Sequence, residues 1–425
     1  LSFRVQGTPY PVIFQSEVVA QAMDKMLNSV ISGVETGTCL VTGEENVPIE
    51  GTHPVIKGVW GAQSSGASIV SFNLDAFNSY SKKQSFNAPV GKQVAAQYVK
   101  ALNTLLESPN QCLHIGDTST VFWSAERSAF ESDFSFFFQE PQKSHPDAGT
   151  EKVKALFESV QSGSYMDDDG DTQFYILGLA PNAARISVRY WHSGTIAEFA
   201  GRIRQYFEDF AIVKPPNEPQ YYSVWRILVN IATQDKSENI PPNLAGEFMR
   251  SILEGIPYPS TLLQAALRRI RSDTEIRVKP IRAALIKAYL NRYYRFYPHS
   301  SFREVRFELD KSQTSIGYLL GRLFAVLEKI QEEANPSINS TIRERFYGAA
   351  CATPVSVFPN LLKLKNHHLA KLDNKGRVVN FERLIGEIME GLHGFPAHLP
   401  MHEQGMFAIG YYHQRQDLFS SKSTE

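Results

Sequence analysis

The chain has 425 residues, 43% hydrophobic and 20% charged, so it can form folded cores and is not a disordered or collagen-like protein. Its 43 basic and 44 acidic residues nearly cancel, which excludes a histone-like polycation but not a local basic surface. Three widely spaced cysteines argue against a disulfide framework and favour a reducing compartment such as the cytoplasm. No apolar run approaches the roughly 18 residues of a membrane helix.

The first 220 residues mix strand and helix patterns, which predicts an α/β body. Apolar residues at four-residue spacing favour helices, and short β-branched or aromatic runs favour strands. Thr195 is expected to cap a helix that continues to Phe207. The predicted helices are 17–31, 94–107 and 195–207, and the predicted strands are 3–5, 11–14, 39–43, 174–179 and 185–190, with a strand–loop–strand segment over 56–73.

Residues 126–171 differ in charge from their surroundings. They carry 11 acidic and 4 basic side chains together with glycine and proline, which predicts a solvated loop or a partly mobile insertion.

Beyond residue 220 the pattern is mostly helical, so the predicted fold class is α+β. Residues 221–300 form a basic helical connector and residues 301–425 a helical bundle, whose first stripe runs through Ile316, Leu320 and Leu323. The predicted helices are 222–232, 243–254, 260–272, 280–294, 316–330, 340–347, 354–372, 381–391 and 402–419.

The glycine- and serine-rich segment Gly61–Ser68 resembles two catalytic motifs but fits neither. A phosphate-binding loop needs lysine where Ala67 stands, and a nucleophile elbow needs a helix where the sequence turns strand-like. Two interpretations remain. The segment is either a rigid structural loop or a loop whose small residues admit a phosphate or a groove edge, with Gln63 able to read an adenine.

Metal chemistry is not favoured. The acidic run Asp167–Asp171 lacks the glutamate that a calcium loop needs at position twelve, where Gly178 stands. His398 and His402 have one-turn spacing, but no zinc motif accompanies them. We therefore predict no metal, no cofactor and no catalytic residues.

Basic residues concentrate in two places. Residues 261–295 carry nine basic and two acidic side chains interleaved with tyrosines, a composition suited to phosphates and unpaired bases. Lys363, His367, Lys371 and Lys375 recur every four residues, which predicts a stripe on one helix. A solvated helix face is the structural alternative for each.

Several stretches together resemble the large subunit of the type I-C CRISPR interference complex (Cascade), and the similarity runs along essentially the whole chain. Members of that family carry a substantial segment before the point that corresponds to Leu1. The stretches that carry the resemblance are 53–73, 174–189, 239–246, 320–330 and 404–415.

The resemblance implies a non-enzymatic subunit, and the cysteines and the lack of a long apolar run predict a cytoplasmic location without membrane contact. Such a subunit recognises the short motif beside a double-stranded DNA target, stabilises the R-loop, holds the displaced single strand and helps to recruit the helicase-nuclease. Its partners are the guide-RNA ribonucleoprotein, which reads the sequence by base pairing, and the other Cascade subunits. In this family the C-terminal region is also made separately as the small subunit, which matches 301–425.

From these observations we nominate two sets of residues. Two alternatives to this function remain, namely a metal-dependent nuclease that uses Asp167–Asp171 and the late histidines, and an assembly scaffold without direct DNA contact. The flanking-motif candidates are Lys57, Gln63, Ser64, Ser65 and Asn73, and the nucleic-acid backbone candidates are Arg268, Arg269, Arg271, Arg282, Arg292, Lys363, Lys371 and Lys375.

Overall fold

Helices make up most of the described chain and two small sheets accompany them, which confirms the predicted α+β class. The computed structural model describes residues 12, 16–29, 35–138, 148–163, 170–273, 278–299, 302–336, 338 and 340–419. The chain divides into two compact units. The first unit comprises Leu1–Ser108 and Leu179–Val188, and the second comprises Pro109–Gly178 and Arg189–Glu425.

In its described part, the first unit combines two helices, one short strand pair and long turns. Helix α2 buries Ala95, Val99, Leu102 and Leu106, whose three- and four-residue spacing gives it one apolar face. Its elements are α1 (Glu17–Ser29), β1 (Thr36–Gly37), β2 (Val47–Pro48) and α2 (Lys92–Glu107), with 3-10 turns at Asp75–Phe77 and Gln84–Asn87.

Several strands predicted in the first unit are wrong. Residues 39–43 form a turn in which the Gly43 N–H donates to the Cys39 carbonyl at 2.9 Å. The strands expected within 56–73 reduce to isolated bridges. Their β-branched residues favour extended backbone, but a strand also needs a paired neighbour, and glycines turn the chain back here. The strands expected at 3–5 and 11–14 lie outside the described residues, apart from Val12.

A four-stranded sheet follows in the described chain, with its strands in chain order. The β5–β6 pair was anticipated by the sequence pattern, whereas β3 and β4 were not. Buried aromatic residues on one face of this sheet, among them Phe122 and Phe174, pack against Phe134 and Phe199. The strands are β3 (Cys112–Ile115), β4 (Thr118–Ser124), β5 (Gln173–Asn182) and β6 (Arg185–Thr195).

The prediction of a loop over 126–171 is wrong for most of its described residues. Two helices occupy the segment, α3 (Phe130–Phe138) and α4 (Ala148–Ser162). Phe130, Phe134 and Phe137 are fully buried in the core of the second unit. The acidic side chains set the net charge, but the aromatic side chains at helical spacing determine the fold.

Among its described residues, the second unit continues with five α-helices. A capping box begins α5, because the Thr195 hydroxyl accepts from the Glu198 N–H while the Glu198 carboxylate accepts from the Thr195 N–H. The predicted cap is therefore confirmed. The helices are α5 (Ile196–Phe210), α6 (Val224–Ile231), α7 (Pro242–Glu254), α8 (Ser260–Ser272) and α9 (Pro280–Phe296).

The last five helices are centred on α10 and α14, which approach closely. A Cβ atom at Gly321 would lie 2.0 Å from the Phe407 carbonyl oxygen, and one at Gly410 would lie 2.1 Å from that of Tyr318. One hydrophobic core runs through the second unit across the predicted divisions at 220 and 300. The helices are α10 (Ile316–Ala334), α11 (Ile342–Ala352), α12 (Phe358–Leu369), α13 (Lys375–Met389) and α14 (Met401–Phe419).

Candidate nucleic-acid interface

A loop over residues 57–66 carries most of the flanking-motif candidates. Its base is closed by a single antiparallel bridge, in which Ile56 and Ala67 exchange N–H···O bonds of 2.9 and 3.0 Å. Gly66 has a φ of +95°, and a Cβ atom there would lie 2.9 Å from both the Ile56 carbonyl oxygen and the Val55 Cβ. The position therefore requires glycine.

The polar side chains of this loop point to solvent rather than into the fold. Gln63, Ser64 and Ser65 are exposed. The loop is held by backbone bonds, such as that from the Gly66 N–H to the Gln63 carbonyl at 2.9 Å. Lys57 is also exposed, because the contact anchoring it to α2 is made by its backbone N–H, which donates to Asn103 Oδ1 at 2.8 Å. Four candidates are thus presented on one braced loop.

Asn73 is exposed as well, but its side chain already has a partner. The Arg185 guanidinium donates to Asn73 Oδ1 and lies 4.4 Å above the centre of the Phe77 ring. The backbone next to Arg185 is tied to the same segment, since the Ile186 N–H donates to the Ser68 carbonyl at 3.1 Å. Sequence reasoning missed Arg185, although it lies within the stretch 174–189 that carries the family resemblance.

A tight turn over Ser79–Lys82 adds an exposed aromatic side chain that sequence reasoning also missed. Tyr80 and Ser81 both have positive φ, and the Lys82 N–H donates to the Ser79 carbonyl at 2.9 Å, as in a type I′ turn. Asn87 braces the turn by accepting from the Ser79 N–H at 2.9 Å and donating to the Gln84 carbonyl at 2.9 Å. The result is a Tyr80 side chain that is 95% exposed.

Together these segments offer the groups that nucleic acid recognition uses. Amide and hydroxyl groups can bond base edges, and Lys57, Lys82 and Lys83 supply exposed positive charge for phosphates. Trp60, which is 64% exposed, and Tyr80 provide flat apolar surfaces for bases or sugars.

Two of the nucleic-acid backbone candidates lie on α9, and the structure places both in the interior rather than at the surface. Arg282 is fully buried, donates to Asp273 at 2.8 Å and lies 3.4 Å from Asp235. Arg292 is also buried and donates to the buried Asp209 at 3.2 Å. Because both guanidiniums satisfy internal carboxylates, neither is available to a phosphate in this conformation.

The three candidates on α8 differ in their exposure to solvent. Arg268 is exposed, whereas Arg269 is half-buried and pairs with Asp235 at 3.1 Å. Arg271 is exposed and donates to the side-chain oxygen of Gln404 on α14. Only part of the predicted connector charge is therefore at the surface.

The lysine stripe does not lie on one helix. Helix α12 ends at Leu369, and Lys375 is the first residue of α13. Lys371 lies between them and donates to Asn335 Oδ1 at 3.0 Å. Lys363, Lys371 and Lys375 are all exposed, so they remain surface candidates, but without the continuous helical spacing that the sequence predicts.

Two histidines late in the chain, His402 and His413, contact tyrosines of the helical region, whereas His398 is exposed. Burial lowers the pKa of His413 to about 3, and its Nδ1 lies 3.0 Å from the Tyr318 hydroxyl. His402 Nδ1 lies 2.9 Å from the Tyr294 hydroxyl, and burial lowers the pKa of His402. Among the described residues no cluster of three His, Cys, Asp or Glu side chains could hold a metal ion. Asp167–Asp169 lie outside those residues.

These features define an α+β protein whose exposed loops carry a candidate nucleic-acid surface. The chain belongs to the family of CRISPR-associated proteins named Cas_Csd1, whose model matches residues 1–419. No curated protein matches the sequence. Within the described part of the chain, no helix is long and apolar enough to cross a bilayer.

Proposed function

We propose that this protein is the large subunit of a type I-C CRISPR surveillance complex and that it recognises the flanking motif beside the target through the first unit. The family membership supports a CRISPR role. The observation that carries the finer proposal is the braced loop 57–66, which presents Lys57, Gln63, Ser64 and Ser65 to solvent. Exposed amide and hydroxyl groups on a loop whose backbone is held in place are groups that can bond to base edges.

In this role the protein does no covalent chemistry. Gln63 offers a bidentate donor–acceptor pair to a base edge, the serine hydroxyls bond bases or phosphates, and Lys57 adds charge. Guide-RNA pairing reads the target sequence, so the protein has to recognise only the short motif and the backbone shape. Other surfaces then stabilise the R-loop and contact the remaining Cascade subunits and the helicase-nuclease.

The burial of Arg282 and Arg292 favours a second candidate function for the helical region alone, that of an assembly scaffold without direct DNA contact. Under this alternative the exposed basic residues of α8 and α12 face protein or guide RNA. Crosslinking each face to labelled target, non-target or guide strands distinguishes the two roles.

The flanking-motif role is tested with the triple variant Gln63→Ala, Ser64→Ala and Ser65→Ala in assembled complex. Each lost base contact is worth about 1–3 kcal/mol of discrimination, so we expect affinity for DNA with the correct motif to fall at least about fivefold. Affinity for motif-free DNA should stay unchanged.

The matched control is Gln97→Ala, which removes an exposed glutamine from α2 in the same unit. Full discrimination between correct and wrong motifs in the triple variant would show that the loop is structural. Divalent-ion-dependent DNA cleavage by the isolated protein would instead support the nuclease alternative.

A further inference from the structure

Two adjoining cavities of the second unit lie against the segment that joins α9 to α10. The first has a volume of about 700 Å³ and the second of about 560 Å³, sizes that suit a small organic ligand. Arg306, Asp310 and Ser312 line both cavities, so the two share one wall. Residues of α9 complete the first cavity and residues of α14 complete the second. We call them the paired cavities.

A buried ammonium group lines the first cavity. Lys287 of α9 is only 6% exposed, and its Nζ donates to the Asp209 carbonyl at 3.0 Å. The Asp209 carboxylate pairs instead with Arg292 and Arg295, and no carboxylate of the described chain forms an ion pair with Lys287. Burial lowers the pKa of Lys287, although the Asp209 and Glu304 carboxylates nearby raise it. A buried ammonium with spare N–H donors is stabilised by an anion.

The two acidic side chains that line the first cavity already have cationic partners. Asp310 lies 3.5 Å from Arg306, and Glu304 lies 3.6 Å from a guanidinium of α9. Arg303 instead donates to a backbone carbonyl of its own segment at 2.7 Å, which leaves its charge uncancelled. The positive charges of Lys287 and Arg303 are therefore free to bind an oxyanion, and phosphate is well suited to such a pair.

A buried imidazole with one unused nitrogen lines the second cavity. His413 of α14 is 1% exposed, and its Nε2 has no hydrogen-bond partner among the described residues. The Tyr318 hydroxyl accepts from the Asp310 N–H at 3.1 Å, so its own proton goes to His413 Nδ1, 3.0 Å away. The ring is neutral because burial lowers the pKa of His413 to about 3, and its hydrogen is therefore on Nε2.

The second cavity therefore offers both a donor and acceptors. The His413 Nε2–H needs an acceptor oxygen, and the carboxylates of Glu308 and Asp417, which also line the cavity, accept hydrogen bonds. A hydroxyl group accepts and donates at once, so it can bond the imidazole and a carboxylate together. Carboxylates bind ribose hydroxyls in this way in dinucleotide sites.

We propose that the paired cavities bind a sugar phosphate, such as a nucleoside monophosphate. The phosphate lies beside Lys287 and Arg303, which bond it through charge-assisted N–H···O contacts. The sugar hydroxyls occupy the second cavity and bond His413 and its acidic neighbours. Phe307, which lines the first cavity and is 52% exposed, offers a ring on which a base can stack. The site is independent of the loop over 57–66, which belongs to the first unit.

The test is a calorimetric titration of the full-length protein with AMP, compared with adenosine and with inorganic phosphate. AMP should bind at one site per chain. Each of the two partial ligands should bind at least roughly tenfold more weakly, because each lacks one set of charged or hydroxyl contacts. A 5′-phosphorylated tetranucleotide that binds as tightly as AMP would support the site and identify its ligand as the end of a strand.

Two variants remove the phosphate contacts. Lys287→Met should weaken AMP binding roughly tenfold or more, because it removes a charge-assisted bond inside a buried site. Arg303→Gln should weaken it about two- to fivefold, because an exposed charge contributes less. The matched control is Arg383→Gln, a 71%-exposed arginine outside both cavities, which should bind AMP like wild type.

His413→Phe tests the sugar half of the site. This variant should weaken AMP binding and leave the affinity for inorganic phosphate unchanged, because only the hydroxyl contact is lost.

Several results would overturn the proposal. Adenosine binding as tightly as AMP would show that the cations contribute nothing, and inorganic phosphate binding as tightly as AMP would show that no sugar is recognised. The absence of saturable AMP binding up to about 10 mM, a very weak affinity, would reject the site outright. If Lys287→Met fails to fold, the exposed Arg303→Gln decides, and a loss equal to that in Arg383→Gln would count against the site.

Discussion

Helix α9 and the loop over 57–66 use their polar residues in opposite ways. On α9, Arg282 and Arg292 are buried and ion-paired, so their charges hold the fold together. In the loop, Gln63 and its serine neighbours are exposed, and backbone bonds and glycines hold the conformation instead. A dense basic sequence can therefore mark a buried ion-pair network, whereas a nearly uncharged loop can carry the exposed recognition groups.

The largest effect is expected when Arg292 is replaced. Replacing it with methionine leaves the buried Asp209 with fewer cationic partners, and breaking a buried pair typically costs about 3–5 kcal/mol. Arg295, which also pairs with Asp209 at 3.1 Å, should limit the loss to the lower part of that range. We expect a lower free energy of unfolding, measured by urea denaturation.

Arg268→Ala is the matched control for that measurement. Its side chain is exposed on α8, and surface substitutions usually change stability by less than about 0.5 kcal/mol. Equal stability of Arg292→Met and Arg268→Ala would contradict the structural role given to the α9 arginines.

The fixed conformation of the loop over 57–66 is tested by replacing Gly66. Alanine there must adopt a φ near +95° and place its Cβ against Val55, so we expect a loss of about 1–3 kcal/mol. In assembled complex the same variant should discriminate flanking motifs poorly, because the loop that presents Gln63 is distorted.

Gly201→Ala is the matched control. Gly201 lies within α5, and a Cβ atom there meets nothing within 4 Å. Alanine is the better helix former, so this variant should gain up to about 1 kcal/mol. A Gly66→Ala protein as stable as wild type would show that the loop tolerates other backbone conformations and is not braced.

Much of the helical fold could be predicted because the information is local. The helix Ser260–Ser272 has the predicted bounds, and Thr195 caps α5 as expected. The helices within 126–171 were harder to predict, because the acidic net charge of the segment favoured a loop although Phe130, Phe134 and Phe137 form a buried face.

The burial of the arginine candidates could not be predicted, because their acidic partners are distant along the chain. Arg282 pairs with Asp235, which is 47 residues away, and Arg292 pairs with Asp209, which is 83 residues away. No local pattern shows that these charges are buried together. The exposure of Gln63 and its serine neighbours could be anticipated better, since glycines next to small polar residues predict a surface loop.

The smallest expected effect on stability concerns the nucleic-acid backbone candidates that lie at the surface. Arg268→Gln and Lys363→Gln should each change the free energy of unfolding by less than about 0.5 kcal/mol, because both side chains are exposed. Each should lower the magnitude of the salt slope of DNA binding by about 0.7–0.9 if it loses one phosphate contact. Arg383→Gln, a 71%-exposed arginine of α13 that is not among the candidates, controls for the general loss of positive charge. A salt slope equal to that of wild type in both variants would show that α8 and α12 do not contact DNA, and would favour the scaffold role. An equal fall of the salt slope in Arg383→Gln would show only long-range electrostatic attraction. Because neither substitution disturbs the fold, this measurement separates exposed charge that contacts DNA from exposed charge that only solvates a helix.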